Sequence, residues 1–212
     1  MSTIPLRRSV RLLRFDVVQR TCHWLNSILF GIVMVTAIPL YFGSLFGIVL
    51  ARHTVQLVHL WAGLLLPIPL VVALVGPWGV RMRQDIRRFN YWTRDEVRWL
   101  KTMGKSPLDA DKFNPGQKAF ALLAGAATLV MLATGSILQW FRFFPISWRT
   151  GATTTHDLVA FALFAVIGGH IAMAVTHPEP FVSMINGTIS EEWAADHAGA
   201  WLEESREADD KG

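Results

Sequence analysis

Four histidines lie in or beside long apolar segments of this 212-residue chain: His23, His59, His156 and His170. The last two are fourteen residues apart in 156-HDLVAFALFAVIGGH-170, where almost every residue between them is apolar. An ionisable side chain inside an apolar, membrane-like segment is costly, so each of these histidines is a functional candidate. A neutral imidazole is a common metal ligand, and ligation of a metal or of haem iron is therefore the first chemistry to consider.

The apolar segments around the histidines are the elements that must position them. The composition, with 52% hydrophobic and 17% charged residues, indicates a membrane protein rather than a soluble domain. A helix needs about 20 apolar residues to cross the hydrocarbon core. Runs of that kind cover residues 22–43, 55–75, 119–140 and 158–176. We therefore predict an all-α integral membrane four-helix bundle within residues 1–178, with kinks at Pro67 and Pro69, followed by an acidic tail at 179–212.

The basic residues predict how this bundle is oriented. Five arginines precede the first run, and ten arginines and lysines lie between the second and third runs, whereas the other two connections together hold three. By the positive-inside rule, both termini and the central loop are cytoplasmic, and the loops at 44–54 and 141–155 face outward. The first run is too long for a signal-peptide core, so we expect a retained helix in the inner (cytoplasmic) membrane. The net charge of +4 is then an orientation signal, and nucleic acid is not expected as a partner.

Two further segments flank the bundle. Apolar and charged residues are interspersed in residues 85–103, which predicts a short helix on the membrane surface. The segment after His177 is strongly acidic and is expected to be exposed to solvent. The single cysteine, Cys22, excludes an internal disulfide and an all-cysteine metal site.

The predicted topology places the four histidines at two membrane levels. His23 and His170 share the inner level, while His59 and His156 share the outer level. Fourteen helical residues rise about 21 Å in nearly four turns, so one helix presents both of its histidines on the same face. Two imidazoles at each level fit two b-type haems held between facing helices. A zinc or copper site would need three or four ligands at one level.

Other interpretations of the histidines stay open at this point. Each could be a packing, interfacial or pore residue of a haem-free membrane anchor or transporter. His53 competes with His59, although Gly63 follows His59 by one turn and leaves room for a flat macrocycle. His177 and His197 are expected at the surface.

Several motifs resemble those of the transmembrane cytochrome b (gamma) subunits of respiratory formate dehydrogenases, within the prokaryotic two-haem cytochromes b. The motifs are QRTCHW around His23, QLVHLWAGL around His59, KFNPGQK before the third run, the pair His156 and His170, and SMINGTISEEWAADHAGAW in the tail. The resemblance implies that His23 and His170 ligate an inner haem b, and that His59 and His156 ligate an outer haem b.

The resemblance also implies a function, a second site and partners. The implied function is electron transfer from an iron–sulfur beta subunit, which is bound to a molybdenum or tungsten catalytic alpha subunit, to a quinone (menaquinone or ubiquinone). The implied quinone site comprises Asn114, Gly116 and His170, beside the inner haem. Alternatives are a cytochrome b subunit of a hydrogenase or another oxidoreductase, and a stand-alone cytochrome that exchanges electrons between superoxide and quinone.

Overall fold

The computed structural model describes residues 10–43 and 52–210, and it is mostly helical. The helices are α1 Val17–Tyr41, α2 Arg52–Leu65, α3 Pro67–Val75, α4 Val80–Asn90, α5 Arg94–Lys101, α6 Pro115–Gln139, α7 Ile146–Thr176, α8 Pro178–Asn186, α9 Glu191–His197 and α10 Gly199–Asp209, with a 3₁₀ turn at Phe141–Phe143. Two short strands, β1 Arg11–Leu13 and β2 Thr188–Ser190, pair antiparallel with Leu12 opposite Ile189. The all-α prediction is confirmed apart from this ribbon.

Four helical stretches are long and apolar enough to cross a membrane: α1, α2 together with α3, α6 and α7. Many of their large apolar side chains point away from the protein, as shown by Val35 at 67% exposed and Val175 at 72%. Continuous exposed apolar surface of this kind is typical of a surface that faces lipid. The four predicted runs are thus helical where the structure describes them, and residues 44–51 of the predicted outer loop at 44–54 lie outside the described residues.

The predicted outer loop at 141–155 is wrong, because α7 already begins at Ile146. Polar residues end the apolar run at this point, but they do not end the helix. The hydroxyls of Thr150, Thr153 and Thr154 each donate to the carbonyl four residues earlier, which satisfies these groups within the helix itself. As a result, His156 lies well inside α7 rather than at its start.

The second span is interrupted at its first proline, as predicted, whereas Pro69 lies within the first turn of α3. The helical hydrogen-bond pattern is interrupted at Leu66, and α3 starts at Pro67. Proline has no N–H to donate and clashes with the preceding turn, so the break occurs there. Pro39 lies in the last turn of α1, where the helix continues only as far as Tyr41.

The long helices form two antiparallel hairpins. Helix α1 packs most extensively against α2, and α6 against α7. Helices α4 and α5 pack against α6, so they lie beside the end of the molecule where α1 and α6 begin. The single surface helix expected in 85–103 is therefore two helices, separated at Tyr91–Thr93. Thr93 and Glu96 form a capping box at the start of α5 that favours this break.

The prediction of a solvent-exposed tail after His177 is wrong for its apolar residues. Strand β2 pairs with β1, and a buried cluster forms from Ile189, Ala194, Ala198, Trp201 and Leu202. Several acidic residues of the segment stay outside and form ion pairs, such as Glu204 with Arg88 at 2.7 Å. The last four members of the cluster recur at helical spacing, which a dense acidic composition conceals in the sequence.

Two lysines of the KFNPGQK segment are buried in ion pairs. Lys112 Nζ lies 2.8 and 2.7 Å from the carboxylate oxygens of Asp85 on α4, and Gln19 of α1 donates to the same carboxylate. Lys118 Nζ lies 2.5 Å from Glu96 Oε1 on α5. All five side chains belong to buried residues. These pairs attach the loop before α6 to α1, α4 and α5. The two lysines therefore have a structural role, in addition to the orienting role that the positive-inside rule predicts for them.

Burial controls the titration of this polar cluster. It raises the pKa of Asp85 and lowers the pKa of Lys112, although each charge partly offsets the effect on the other. Arg14 is 1% exposed, donates to the Lys112 carbonyl and stacks over the Trp193 ring at 4.6 Å. Burial lowers the pKa of Arg14 to about 10 against the opposing charges of Asp85 and Glu179. The cluster therefore joins the N-terminal strand, the KFNPGQK loop and the C-terminal helices.

Replacing Lys112 with methionine is expected to destabilise the protein by about 3–5 kcal/mol at neutral pH, because Asp85 would stay buried without its cation. Loss of Lys112 also raises the folded-state pKa of Asp85 further above its unfolded value. The protonated carboxyl then fits the folded protein better, so the deficit should shrink as the pH falls and grow as the pH rises through the folded pKa. Chemical unfolding in detergent at several pH values measures this.

Lys105→Met is the matched control, because Lys105 is an exposed lysine of the same connection. It should change the free energy of unfolding by less than about 0.5 kcal/mol at any of these pH values. Equal destabilisation of the two variants, or a deficit for Lys112→Met that does not depend on pH, would show that the Asp85 pair does not stabilise the fold in this way.

Candidate functional site

The structure brings the four histidines of the long helices together in two pairs. The ring centres of His23 on α1 and His170 on α7 are 6.4 Å apart, with 56° between the ring planes. Those of His59 on α2 and His156 on α7 are 6.3 Å apart, with 63° between the planes. Each pair contains the two histidines that the sequence places at one membrane level. Helix α7 supplies one ring to each pair and so links the two hairpins twice.

The ring separations suit two imidazoles that share one metal ion. With metal–nitrogen bonds of about 2 Å and ring centres about 1 Å beyond each nitrogen, two rings on opposite sides of a metal have centres about 6 Å apart. Both pairs have this separation. In the described part of the chain, no group of three or more His, Cys, Asp or Glu side chains could hold a metal ion. A donor set of two imidazoles suits haem, whose porphyrin supplies the other four ligands.

The rings of the outer pair are held by hydrogen bonds. Thr36 Oγ1 lies 2.9 Å from His59 Nδ1, and Thr134 Oγ1 lies 2.9 Å from His156 Nδ1. Each threonine belongs to the other helix of the same hairpin. Gly135 follows Thr134, and a Cβ there would come within 3.4 Å of His156 Cε1. The His156 ring therefore packs against α6 at Gly135. These hydrogen bonds involve Nδ1 and do not occupy Nε2 of either ring.

The rings of the inner pair are held by aromatic contacts instead. His170 stacks on Phe120 of α6, with ring centres 4.5 Å apart and planes 9° apart. His23 meets the edge of Trp24 at 5.2 Å, and its Nδ1 is buried without a hydrogen-bond partner among the described residues. The two pairs therefore differ in what surrounds their Nδ1 atoms.

Small residues leave space beside the histidines. A Cβ built on Gly63, one turn after His59, would meet no heavy atom of the described residues within 4 Å. The same holds for Gly168 and Gly169, which precede His170. These three positions therefore leave the room that a flat macrocycle needs beside the helix backbone.

The residues expected to bind quinone have local structural roles. Asn114 caps α6: its Oδ1 accepts from the Gln117 N–H at 2.9 Å, and Gln117 Oε1 accepts from the Asn114 N–H at 3.1 Å. A Cβ at Gly116 would lie 3.3 Å from Asn114 Oδ1, so a larger residue would crowd this cap. Helix α6 reaches His170 through Phe120, six residues after Asn114. The quinone site at Asn114, Gly116 and His170 stays a prediction.

The remaining histidines lie at the surface. His53 is exposed in the first turn of α2, while His177 and His197 are exposed at the ends of α7 and α9. The surface positions predicted for His177 and His197 are confirmed. Sequence reasoning missed Thr36, Thr134, Gly135 and Phe120, because threonine, glycine and phenylalanine are ordinary residues of apolar helices and carry no signal at the level of spacing.

Comparison with known proteins gives consistent matches along the chain. The family model described as prokaryotic cytochrome b561 matches residues 14–187. The formate dehydrogenase cytochrome b556 subunit of Haemophilus influenzae is 27% identical, over 96% of this chain and 87% of the relative. The cytochrome b556(fdo) subunit of Escherichia coli formate dehydrogenase is 23% identical, over 97% of this chain and 99% of the relative. The nitrate-inducible cytochrome b556(Fdn) subunit of the same organism is 25% identical, over 97% of each chain.

The region matched by the family model contains all four long helical stretches and both histidine pairs. The match covers well over half of the chain. This chain therefore belongs to the prokaryotic cytochrome b561 family, and it is a multi-pass membrane protein of a family that binds haem b.

Proposed function

We propose that this chain is the membrane-anchoring cytochrome b subunit of a respiratory formate dehydrogenase, and that it carries electrons from an iron–sulfur partner across the membrane to a quinone. The observation that carries the proposal is the presence of two histidine pairs, each with the ring separation that one bis-imidazole iron requires. The choice of formate dehydrogenase rests on the relatives, which bear that name and align over nearly their whole length.

In this proposal, His23 and His170 are the axial ligands of an inner haem b, and His59 and His156 those of an outer haem b. Haem supplies one-electron redox chemistry when it is bound. The chain sets the identity and orientation of the ligands. Helix α7 separates its two ligands by fourteen residues, or about 21 Å along the helix axis. A separation of this size would allow one site towards each side of a hydrocarbon core about 30 Å thick.

The quinone is proposed to bind at the end of the molecule that holds His23 and His170. There the loop from Lys112 to Lys118 is fixed by buried ion pairs, and it presents the cap formed by Asn114 beside Gly116. An asparagine amide can donate a hydrogen bond to a quinone carbonyl through Nδ2 while Oδ1 caps the helix. Reduction of a quinone to a quinol takes up two electrons and two protons, and we propose that the protons come from the cytoplasmic side.

The proposed orientation follows from the basic residues, with both termini and α4 and α5 cytoplasmic in the inner membrane. An iron–sulfur beta subunit would then contact the outer end, near His59 and His156, and a molybdenum or tungsten alpha subunit would bind beyond it. The quinone is menaquinone or ubiquinone. A hydrogenase partner is the second candidate, and a stand-alone superoxide/quinone cytochrome is the third.

Replacing His59 or His156 with leucine is expected to remove one of two haems, because a single axial imidazole would remain at that site. The purified protein should retain about half of the wild-type haem in a pyridine haemochrome assay. His53→Leu is the control, since this exposed histidine lies in the same helix as His59 and should leave haem content unchanged. Wild-type haem content in the His59 and His156 variants would contradict the ligand assignment. A reduced-minus-oxidised spectrum without a b-type α band in the wild type would favour a haem-free anchor.

The partner is tested by purifying the tagged chain from its native membrane in mild detergent. Formate dehydrogenase predicts co-purification of an iron–sulfur subunit and a subunit containing molybdenum or tungsten, together with formate-dependent reduction of the b-type α band. A nickel–iron subunit and hydrogen-dependent reduction would replace this proposal with a hydrogenase. Purification of the chain alone with superoxide-dependent reduction would support the stand-alone cytochrome.

A further inference from the structure

The hydrogen bonds between threonine and histidine occur at only one of the two histidine pairs in the described part of the chain. We propose that Thr36 and Thr134 are positioning residues that fix His59 and His156 in one tautomer and lower the midpoint potential of the outer haem relative to the inner one. The proposal rests on the proposed function to the extent that haem must bind to both pairs.

The direction of each hydrogen bond follows from the donors and acceptors present. The Thr36 hydroxyl has one proton and lies 2.6 Å from the Ile32 carbonyl oxygen. Two oxygens at this distance repel each other unless the proton lies between them, so the hydroxyl donates to Ile32. Its lone pairs are then left to accept from His59 Nδ1 at 2.9 Å. His59 must therefore carry its proton on Nδ1, which leaves the Nε2 lone pair for a metal.

The same arrangement recurs in the other hairpin. The Thr134 hydroxyl lies 2.7 Å from the Val130 carbonyl oxygen and 2.9 Å from His156 Nδ1. Thr36 and Thr134 each lie five residues before the end of their helix, and each reaches a ring of the following span. Two hairpins of different sequence thus hold a histidine by the same device. This repetition is hard to explain by chance packing of a threonine in an apolar helix.

The inner pair lacks this support. His23 Nδ1 is buried without a hydrogen-bond partner among the described residues, and the hydroxyl of the nearby Ser27 donates to the His23 carbonyl. The ring of His170 is placed by stacking on Phe120. A hydrogen bond donated from Nδ1 makes an imidazole a more basic ligand, and a more basic ligand favours oxidised iron. The outer site has two such bonds and should therefore have the lower potential.

This asymmetry gives a direction to electron transfer. Electrons that enter at the outer end would reach the site of lower potential first. They would then move to the site of higher potential, at the end where quinone reduction is proposed. The hydroxyls do not touch the reacting groups, so their effect is exerted through the orientation and basicity of His59 and His156.

The test is a redox titration of Thr36→Val, Thr134→Val and the double variant in the purified full-length complex. Valine keeps the shape of threonine but cannot accept the hydrogen bond. We expect one of the two midpoint potentials of the b-type α band to rise in each single variant and to rise further in the double variant, while the other potential stays at its wild-type value. Thr36→Ser and Thr134→Ser, which keep the hydroxyl, should return the potential towards wild type.

Thr128→Val is the matched control. Thr128 also lies in α6, but its hydroxyl donates only to the Ala124 carbonyl of the same helix, at 2.8 Å. Its replacement should move neither potential.

Loss of the outer haem in a valine variant with recovery in the serine variant would also support a positioning role. Two bound haems with unchanged potentials in the double variant would overturn the inference, as would equal shifts of both. Absence of haem from the wild type would instead overturn the proposed function.

Discussion

A polar side chain in an apolar helix bundle needs partners for its hydrogen-bonding atoms, and the two histidine pairs at the centre of this structure meet that requirement to different extents. Each imidazole has two nitrogens, and leaving either without a partner in a medium of low dielectric constant is costly. In the outer pair, a threonine of the neighbouring helix satisfies one nitrogen of each ring. The centres of the two rings lie at a separation that suits a shared metal.

Helix α7 is the element on which both pairs depend. It carries His156 and His170 on one face, and it contacts α1 and α2 from one hairpin while packing against α6 of its own. A tilt or rotation of this one helix would open both pairs together. Its length of 31 residues continues the helix beyond the apolar run, so that His156 is supported by helical turns on both sides.

The polar cluster at the end of the molecule where α1 and α6 begin is held by buried ion pairs rather than by helix packing around histidines. Lys112 and Lys118 are buried with Asp85 and Glu96, and buried ion pairs of this kind add little net stability because desolvation offsets the attraction. They do, however, make any alternative placement of the loop expensive, since a charge would be left alone. The cluster therefore specifies the conformation of residues 112–118. It also explains why the chain after His177 folds back, because Trp193 of α9 stacks on Arg14 within the same cluster.

Much of the architecture was accessible from the sequence alone. Apolar length determines how many spans there are, and helical periodicity determines that His156 and His170 share a face, so the two levels of histidines follow from local rules. The folded C-terminal segment and the burial of Lys112 and Lys118 were not accessible, because each depends on partners that are distant in the chain. The start of α7 was not accessible because polar residues end the apolar run there without ending the helix. Thr36 and Thr134 belong to the same category. A threonine in an apolar helix has no distinguishing pattern, and only the packing of one helix against the next places its hydroxyl on an imidazole. The sequence determined which residues could meet, and the tertiary structure decided that in the outer pair it is Nδ1 of each ring that is held, because only there does a neighbouring helix bring a hydroxyl to the imidazole.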